Sequence, residues 1–348
     1  MRSTKNRFRS GPKLARNAPY PSVDAGRVSE LLARCPAAAV TPMLNAGDIA
    51  SRGELWIKDE RERMNLGSFK ALGAAYVIAR HAVGAAGELA DATTLSGTTY
   101  VTASAGNHGM SVAAGARIFG ASAVVYIAET VPEGFSKRLE EQGARVVRYG
   151  KDYAASMDAA QQVAAERGWT LLSDSSWEGY TELPHTLMEG YLEMAAEAVS
   201  QCREMPTHIV LQAGVGGLAG AVAAYSRVAW GDCPTIVIIE PQSAPALLAS
   251  ILAGAAVFAD GPESIMGRLD CKEPSLIALN GLARDADLFV TLDDREVVEW
   301  LPKLAEFGLQ TTASGAAGVA AALNEEVRDV AGIGAGSRVL CFLTEAPE

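Results

Sequence analysis

Cysteine is scarce in this chain: Cys35, Cys202, Cys233, Cys271 and Cys341 are the only five in 348 residues, and no two form a Cys-x-x-Cys pair. An odd, scattered set supports neither a disulfide framework nor a zinc knuckle, and a reducing cytoplasm is the expected location. Long apolar runs are also missing. No stretch reaches the ~20 residues that cross a bilayer, and the first residues carry no apolar signal-peptide segment, so no membrane partner is expected. Positive charge is in deficit, with 30 Lys+Arg against 41 Asp+Glu and a net charge of −11. That balance argues against a nucleic-acid partner. There is no Walker lysine, which disfavours a P-loop nucleotide enzyme. No repeat, no low-complexity linker and no compact carboxylate cluster of the kind that marks a metal site is found.

The one basic region is the opening "MRSTKNRFRSGPKLAR". Without a second basic patch to support a polyanion-binding arm, it reads as a mobile tail or an arm packed on a partner subunit.

Glycine is plentiful at 34 residues, and 49% of the chain is hydrophobic. The length suggests about two domains. Short apolar runs at 98–104, 122–128, 144–150, 170–176, 207–214, 234–241, 288–294 and 338–345 read as strands. Ala-rich segments at helical spacing separate them, including 109–120, 132–143, 153–168 and 187–202. Such alternation implies parallel βαβ units, hence an α/β protein of two open doubly wound domains with mostly parallel sheets. The segment 98–180 holds a complete set of these units. It is expected to be a smaller domain inserted in a larger one made of 1–97 plus 181–348.

Four features lie where chemistry is expected. "NLGSFKALGAAY" (65–76) carries one lysine, Lys70, behind the charged stretch "KDERER" (58–63). Ser68 reads as an N-cap, so Lys70 sits on the first helical turn. The helix dipole and burial both oppose a cation there. Such a lysine either snorkels to water or is kept partly neutral for chemistry. "TASAGNHG" (102–109) follows a strand and opens a helix. Its small residues Ser104, Ala105 and Gly106, with Asn107 and His108, suit an anion nest with added side-chain polarity. "QAGVGGLAG" (212–220) places Gly214, Val215, Gly216, Gly217 and Leu218 between a strand and a helix, suited to a phosphate. It also fits the GxGxxA dinucleotide fingerprint, with Glu240 near a ribose-binding position, so a nicotinamide oxidoreductase stays open. Thr344 ends the last strand.

An oxidoreductase uses one glycine loop and leaves Lys70 and the Asn107 loop idle. An aldehyde cofactor bearing a phosphate uses all four features. Lys70 condenses with the aldehyde as a Schiff base, the glycine loop holds the phosphate, Asn107 meets the phenolic oxygen and Thr344 the ring nitrogen. That cofactor is pyridoxal 5′-phosphate.

"GSFKALGAAY", "SAGNHG", "AGVGGLAG" and the final "LTE" resemble the fold-type II pyridoxal-phosphate enzymes, in order and spacing, from "TPM" at 41–43 to Thr344. Within that group, "SFKALG" (68–73), "SDSSWEGYTELPHTLMEGY" (173–191) and "SIMGRLDCKEPS" (264–275) are most similar to the diaminopropionate ammonia-lyases. The resemblance implies two domains, a homodimer, an amino-acid substrate, and release of pyruvate and ammonia from 2,3-diaminopropionate. It puts Asp174 near the substrate and has backbone N–H groups of Ser104–His108 hold the substrate carboxylate. One departure is informative. Those lyases carry an aspartate, which takes the α-proton of the D isomer, where this chain has Ala105. Alanine accepts no proton, so the expected substrate is an L-amino acid with Lys70 as sole α-proton base. Arg268 and Lys272 add positive charge where the family has small residues, which suggests a substrate with an extra acid group. The expected reaction is β-elimination to a 2-oxo acid and ammonia, with Lys70, the phosphate or Asp174 as acid for the leaving group. An L-serine, threonine or hydroxyaspartate dehydratase and a β-replacement synthase are the alternatives.

Overall fold

A computed structural model of the protein describes residues 1–50, 53–87 and 90–347. Apolar strands alternating with Ala-rich helices bury both sheet faces only when helices cover each side, and two such sheets form. The larger has seven strands in the order β1-β10-β9-β8-β11-β3-β2. These are β1 (Ser3–Lys5), β2 (Met43–Asn45), β3 (Glu54–Asp59), β8 (His208–Gln212), β9 (Thr235–Pro241), β10 (Leu288–Leu292) and β11 (Arg338–Leu343). Its five inner strands are parallel, and the edge strands β1 and β2 run antiparallel to them. The smaller sheet is wholly parallel, in the order β6-β5-β4-β7. It comprises β4 (Thr99–Ala103), β5 (Ser122–Ile127), β6 (Ala144–Arg148) and β7 (Thr170–Leu171). All eight expected strands form, and every strand between 98 and 180 belongs to the smaller sheet. The expected helix at 187–202 is instead two segments, Glu182–Gly190 and Leu192–Gln201, meeting at Tyr191.

The N-terminal arm is not a free tail. It folds back on its own chain as β1, pairing with β10. Asn6 Nδ2 donates to the carbonyls of Leu282, Ala283 and Ala286 at 3.2, 2.9 and 2.6 Å, closing the C-terminal end of helix Leu276–Asp285. The last carbonyls of a helix lack the onward N–H groups that pair earlier ones, which is why an amide donor settles there.

The charged stretch 58–63 also differs from its surface appearance. Lys58, Glu60 and Arg63 are each fully buried. Lys58 Nζ reaches Glu197 Oε2 at 2.5 Å and the Thr41 carbonyl at 2.6 Å. The Arg63 guanidinium spans Glu60 and Glu197, with contacts of 2.7 and 2.8 Å to each. Two cations and two carboxylates thus balance inside the protein, tying β3 to helix Leu192–Gln201. Removing one carboxylate leaves a buried cation uncompensated, which costs ~3–5 kcal/mol. Glu197→Ala is therefore expected to lower stability by about that amount in urea unfolding at neutral pH; an unchanged midpoint contradicts the balance drawn here.

Candidate active site

Ligands of open parallel sheets bind beyond the carboxyl ends of the strands, and the four features converge there. The entry to the lysine helix is a tight turn, with positive φ at Met64, Asn65 and Gly67. The helix runs Lys70–Ala86 with Phe69, not Ser68, at the cap position. Ser68 lies one residue further out, and its Oγ accepts from Lys70 N at 3.3 Å. Glycine fixes how closely this helix meets its neighbour. A Cβ on Gly73 falls 2.8 Å from Tyr191 Cε1, and one on Gly190 falls 2.7 Å from the Leu72 carbonyl oxygen. Tyr191 is thereby pressed beside Lys70, whose Nζ is 5.9 Å from its ring centre.

Lys70 Nζ is ion-paired with Asp174 Oδ2. Burial pulls the lysine pKa down, but the Asp174 carboxylate outweighs it and holds the ammonium above its ordinary value. The Asp174 carboxylate, 104 residues away in the chain, thus joins the helix start and the apolar neighbours in the lysine's environment. Burial pushes the Asp174 carboxyl up, yet the Lys70 charge, then His108, hold it below the usual carboxylate range.

Asp174 follows β7, and the Trp-Glu-Gly-Tyr spacing behind it builds its support. Trp177 and Tyr180 stack with ring centres 4.4 Å apart across an antiparallel bridge. Tyr180 Oη donates to the Leu171 carbonyl at 2.8 Å and accepts from Ser173 N at 3.1 Å. Ser176 is fixed from the other side by Ser275 Oγ at 2.7 Å.

The Asn loop follows β4. Ser104 Oγ accepts from Gly106 N at 3.2 Å, and Gly106 caps helix Asn107–Ile118. Asn107 is buried and donates from Nδ2 to Glu345 Oε2 at 2.6 Å. The His108 ring is buried under the loop, with Nε2 2.8 Å from the Leu172 carbonyl. A carbonyl only accepts, so Nε2 carries the proton, and Nδ1 is left buried without a hydrogen-bond partner.

The glycine loop follows β8 and opens helix Gly217–Trp230. Gly216 has φ +97°, a left-handed value that favours glycine. A Cβ on Gly217 falls 3.4 Å from Tyr191 Cε2 and 4.0 Å from the Asp174 carbonyl oxygen, so the loop is adjacent to the lysine pair. A Cβ on Gly214 falls 2.9 Å from Cys271 Sγ. Burial, then Asp174, pushes that thiol up to about 12. Thr344 is buried at the end of β11, and its carbonyl accepts from Phe69 N at 3.2 Å.

Three residues of this site went unassigned in the sequence: Tyr191, Cys271 and Glu345. "LTE" contained the last, but without its partners nothing set it apart. Lys272 does not serve the site. Its Nζ is occupied by Asp270 at 2.5 Å and by the carbonyls of Pro262 and Ser243. Arg268 remains beside the Asn loop, with Nε 3.4 Å from where a Cβ on Gly106 falls. Glu240 has another task. Fully buried, it accepts from Leu247 N and Leu248 N at 2.7 and 2.8 Å, capping the following helix. The dinucleotide reading thereby loses its ribose acid.

The residues present fit an aldehyde-bearing phosphate ester. The first-turn amides of helix Gly217–Trp230 have no partner within the helix. Tyr191 Oη and His108 Nδ1 are buried polar atoms without partners, and an amine stands beside them. Residues 35–345 match the family described as pyridoxal-phosphate dependent enzyme. The chain belongs to this family. It is 32% identical to the diaminopropionate ammonia-lyase of Salmonella typhimurium over 75% of this chain and 70% of that protein. Identity to the Escherichia coli enzyme of that name is also 32%, over 73% of this chain and 68% of that one. The crystal structure of the Escherichia coli enzyme in complex with an aminoacrylate–PLP azomethine reaction intermediate superposes with a TM-score of 0.86 at 27% identity, covering 99% of this chain and 93% of that one. Maize serine racemase shares the fold, with a TM-score of 0.82 at 20% identity. No described helix is long and apolar enough to cross a membrane.

Glu240 also yields a pH dependence in this pyridoxal-phosphate enzyme. Burial raises its carboxyl to about 8, against the backbone donors that lower it. A carboxyl that holds its proton more tightly folded than unfolded makes stability fall as pH rises between the two values. Between about pH 5 and pH 8 the wild type is expected to lose stability in urea relative to Glu240→Gln, whose amide does not titrate. Equal slopes contradict the assignment.

Proposed function

We propose that this pyridoxal-phosphate enzyme catalyses β-elimination from a β-substituted L-amino acid, with L-2,3-diaminopropionate as reference substrate, releasing a 2-oxo acid and ammonia. The observation that carries the reading is Lys70 paired with Asp174 beside the glycine loop. The similarity to two diaminopropionate ammonia-lyases supports it. When bound, pyridoxal phosphate supplies an aldehyde for the Lys70 amine and an electron sink for the α-carbon. Gly214, Val215, Gly216, Gly217 and Leu218 hold its phosphate on backbone N–H groups. Asn107 donates to its phenolic oxygen, and the neutral Thr344 hydroxyl meets its ring nitrogen. Backbone N–H groups of Ser104, Ala105, Gly106, Asn107 and His108 hold the substrate carboxylate. Lys70 Nζ takes the α-proton from one face. Asp174, a carboxylate at neutral pH, holds the β-ammonium of the substrate at the leaving position. The segment 98–180 works as the small domain against 1–97 plus 181–348, in a cytoplasmic homodimer.

Ala105 sharpens the stereochemistry: it stands where the similar lyases carry a proton-accepting aspartate, and its methyl group accepts no proton. The loaded enzyme is expected to form pyruvate and ammonia from the L isomer and not from the D isomer. Lys70→Ala is expected to reduce turnover by about 10³-fold or more, and Ala105→Asp to open activity on the D isomer. A new amino acid in place of the 2-oxo acid makes the protein a β-replacement synthase. A strong preference for L-serine makes it a dehydratase. Full turnover by Lys70→Ala contradicts the scheme.

A further inference from the structure

We infer that Glu345 is a positioning residue that fixes which way the Asn107 amide faces, and so the donor it offers to the cofactor. The inference rests on the role proposed above for Asn107. Glu345 has a side chain only 4% exposed, and it lies between the loops that build the site. Its Oε2 accepts from Asn107 Nδ2 at 2.6 Å. Its Oε1 accepts from Arg268 Nη1 at 2.5 Å and from Thr312 Oγ1. Its backbone is pinned as well. Thr311 Oγ1 donates to the Glu345 carbonyl at 2.5 Å, Ser68 pairs with it in an antiparallel bridge, and Ala346 N donates to Gly67 O at 2.8 Å. One residue therefore joins the Asn loop to the strand end bearing Thr344 and to the turn just before Lys70.

An amide side chain has two ends of nearly equal shape, one accepting and one donating. Packing alone does not choose between them. An ionised carboxylate accepts only, so Glu345 selects the orientation with Nδ2 toward itself. Nδ2 carries two N–H groups, and engaging one aims the other. The Arg268 guanidinium and the Thr312 hydroxyl hold the carboxylate aligned.

The test is a double-mutant cycle read by binding, not by turnover. Enzyme stripped of cofactor is titrated with pyridoxal phosphate, and Kd is followed by visible absorbance. Asn107→Ala is expected to weaken binding about tenfold and Glu345→Gln about fivefold, the scale of a single hydrogen bond. The double variant is expected to bind no more weakly than Asn107→Ala alone, because the second change acts through the first. Glu345→Asp keeps the charge beside Arg268 but withdraws it from Asn107, and is expected to repeat the result should Glu345→Gln not fold. A purely structural role lowers Tm in each background and leaves the two binding effects multiplying, to about 50-fold. That result, or wild-type affinity in Glu345→Gln, overturns the inference. A wild-type chain that binds no pyridoxal phosphate overturns the proposed function instead, so the two failures are distinct.

Discussion

The ion pair between Lys70 and Asp174 is the interaction on which the site depends. It brings together helix Lys70–Ala86, which packs against helices Asn107–Ile118 and Glu182–Gly190, and a loop leaving the small sheet. Burial works against both charges, yet each moves in the direction its partner dictates. That is the behaviour of a tight pair in a confined space, where attraction exceeds the cost of desolvation only with good geometry. A lysine so held has its amine fixed beside the carboxylate. The same contact therefore keeps the amine oriented and supplies a negative group where a cationic substituent arrives.

Much of the surrounding packing serves that geometry. Gly73 and Gly190 allow two helices to meet closely enough to press Tyr191 beside the lysine. The Trp177–Tyr180 stack and the Ser176–Ser275 contact hold the aspartate loop from opposite sides. Away from the site, the buried set Lys58, Glu60, Arg63 and Glu197 anchors β3 beneath the chain that leads into the Lys70 turn. Local turns position the reactive groups, and buried charge and close helix contact keep those turns in place.

The parallel strands were legible because each is a short apolar run bounded by turn residues. The three strands missed by the same reasoning fail that description. β1 lies in a basic arm, β2 has three residues, and β3 ends in charges that are buried rather than exposed. The site shows the same division. Lys70, the Asn107 loop, the glycine loop and Thr344 each stand at a strand-to-helix junction or strand end, which local pattern reveals. Glu345 carries no local signal. Its carboxylate partners Asn107 and Arg268 lie 238 and 77 residues away along the chain. The pairing of Lys70 carries no local signal for a related reason, since Asp174 is 104 residues distant. Position along an element is written locally, whereas electrostatic surroundings are assembled by the fold.

The central claim is that Lys70 is the residue that engages the aldehyde of pyridoxal phosphate. Its most direct test is to treat the loaded protein with borohydride, follow the visible band and map the modified peptide by mass. The account predicts a yellow protein that bleaches on reduction, with the added mass on Lys70. A colourless protein in the presence of the cofactor, or a label on another lysine, contradicts it.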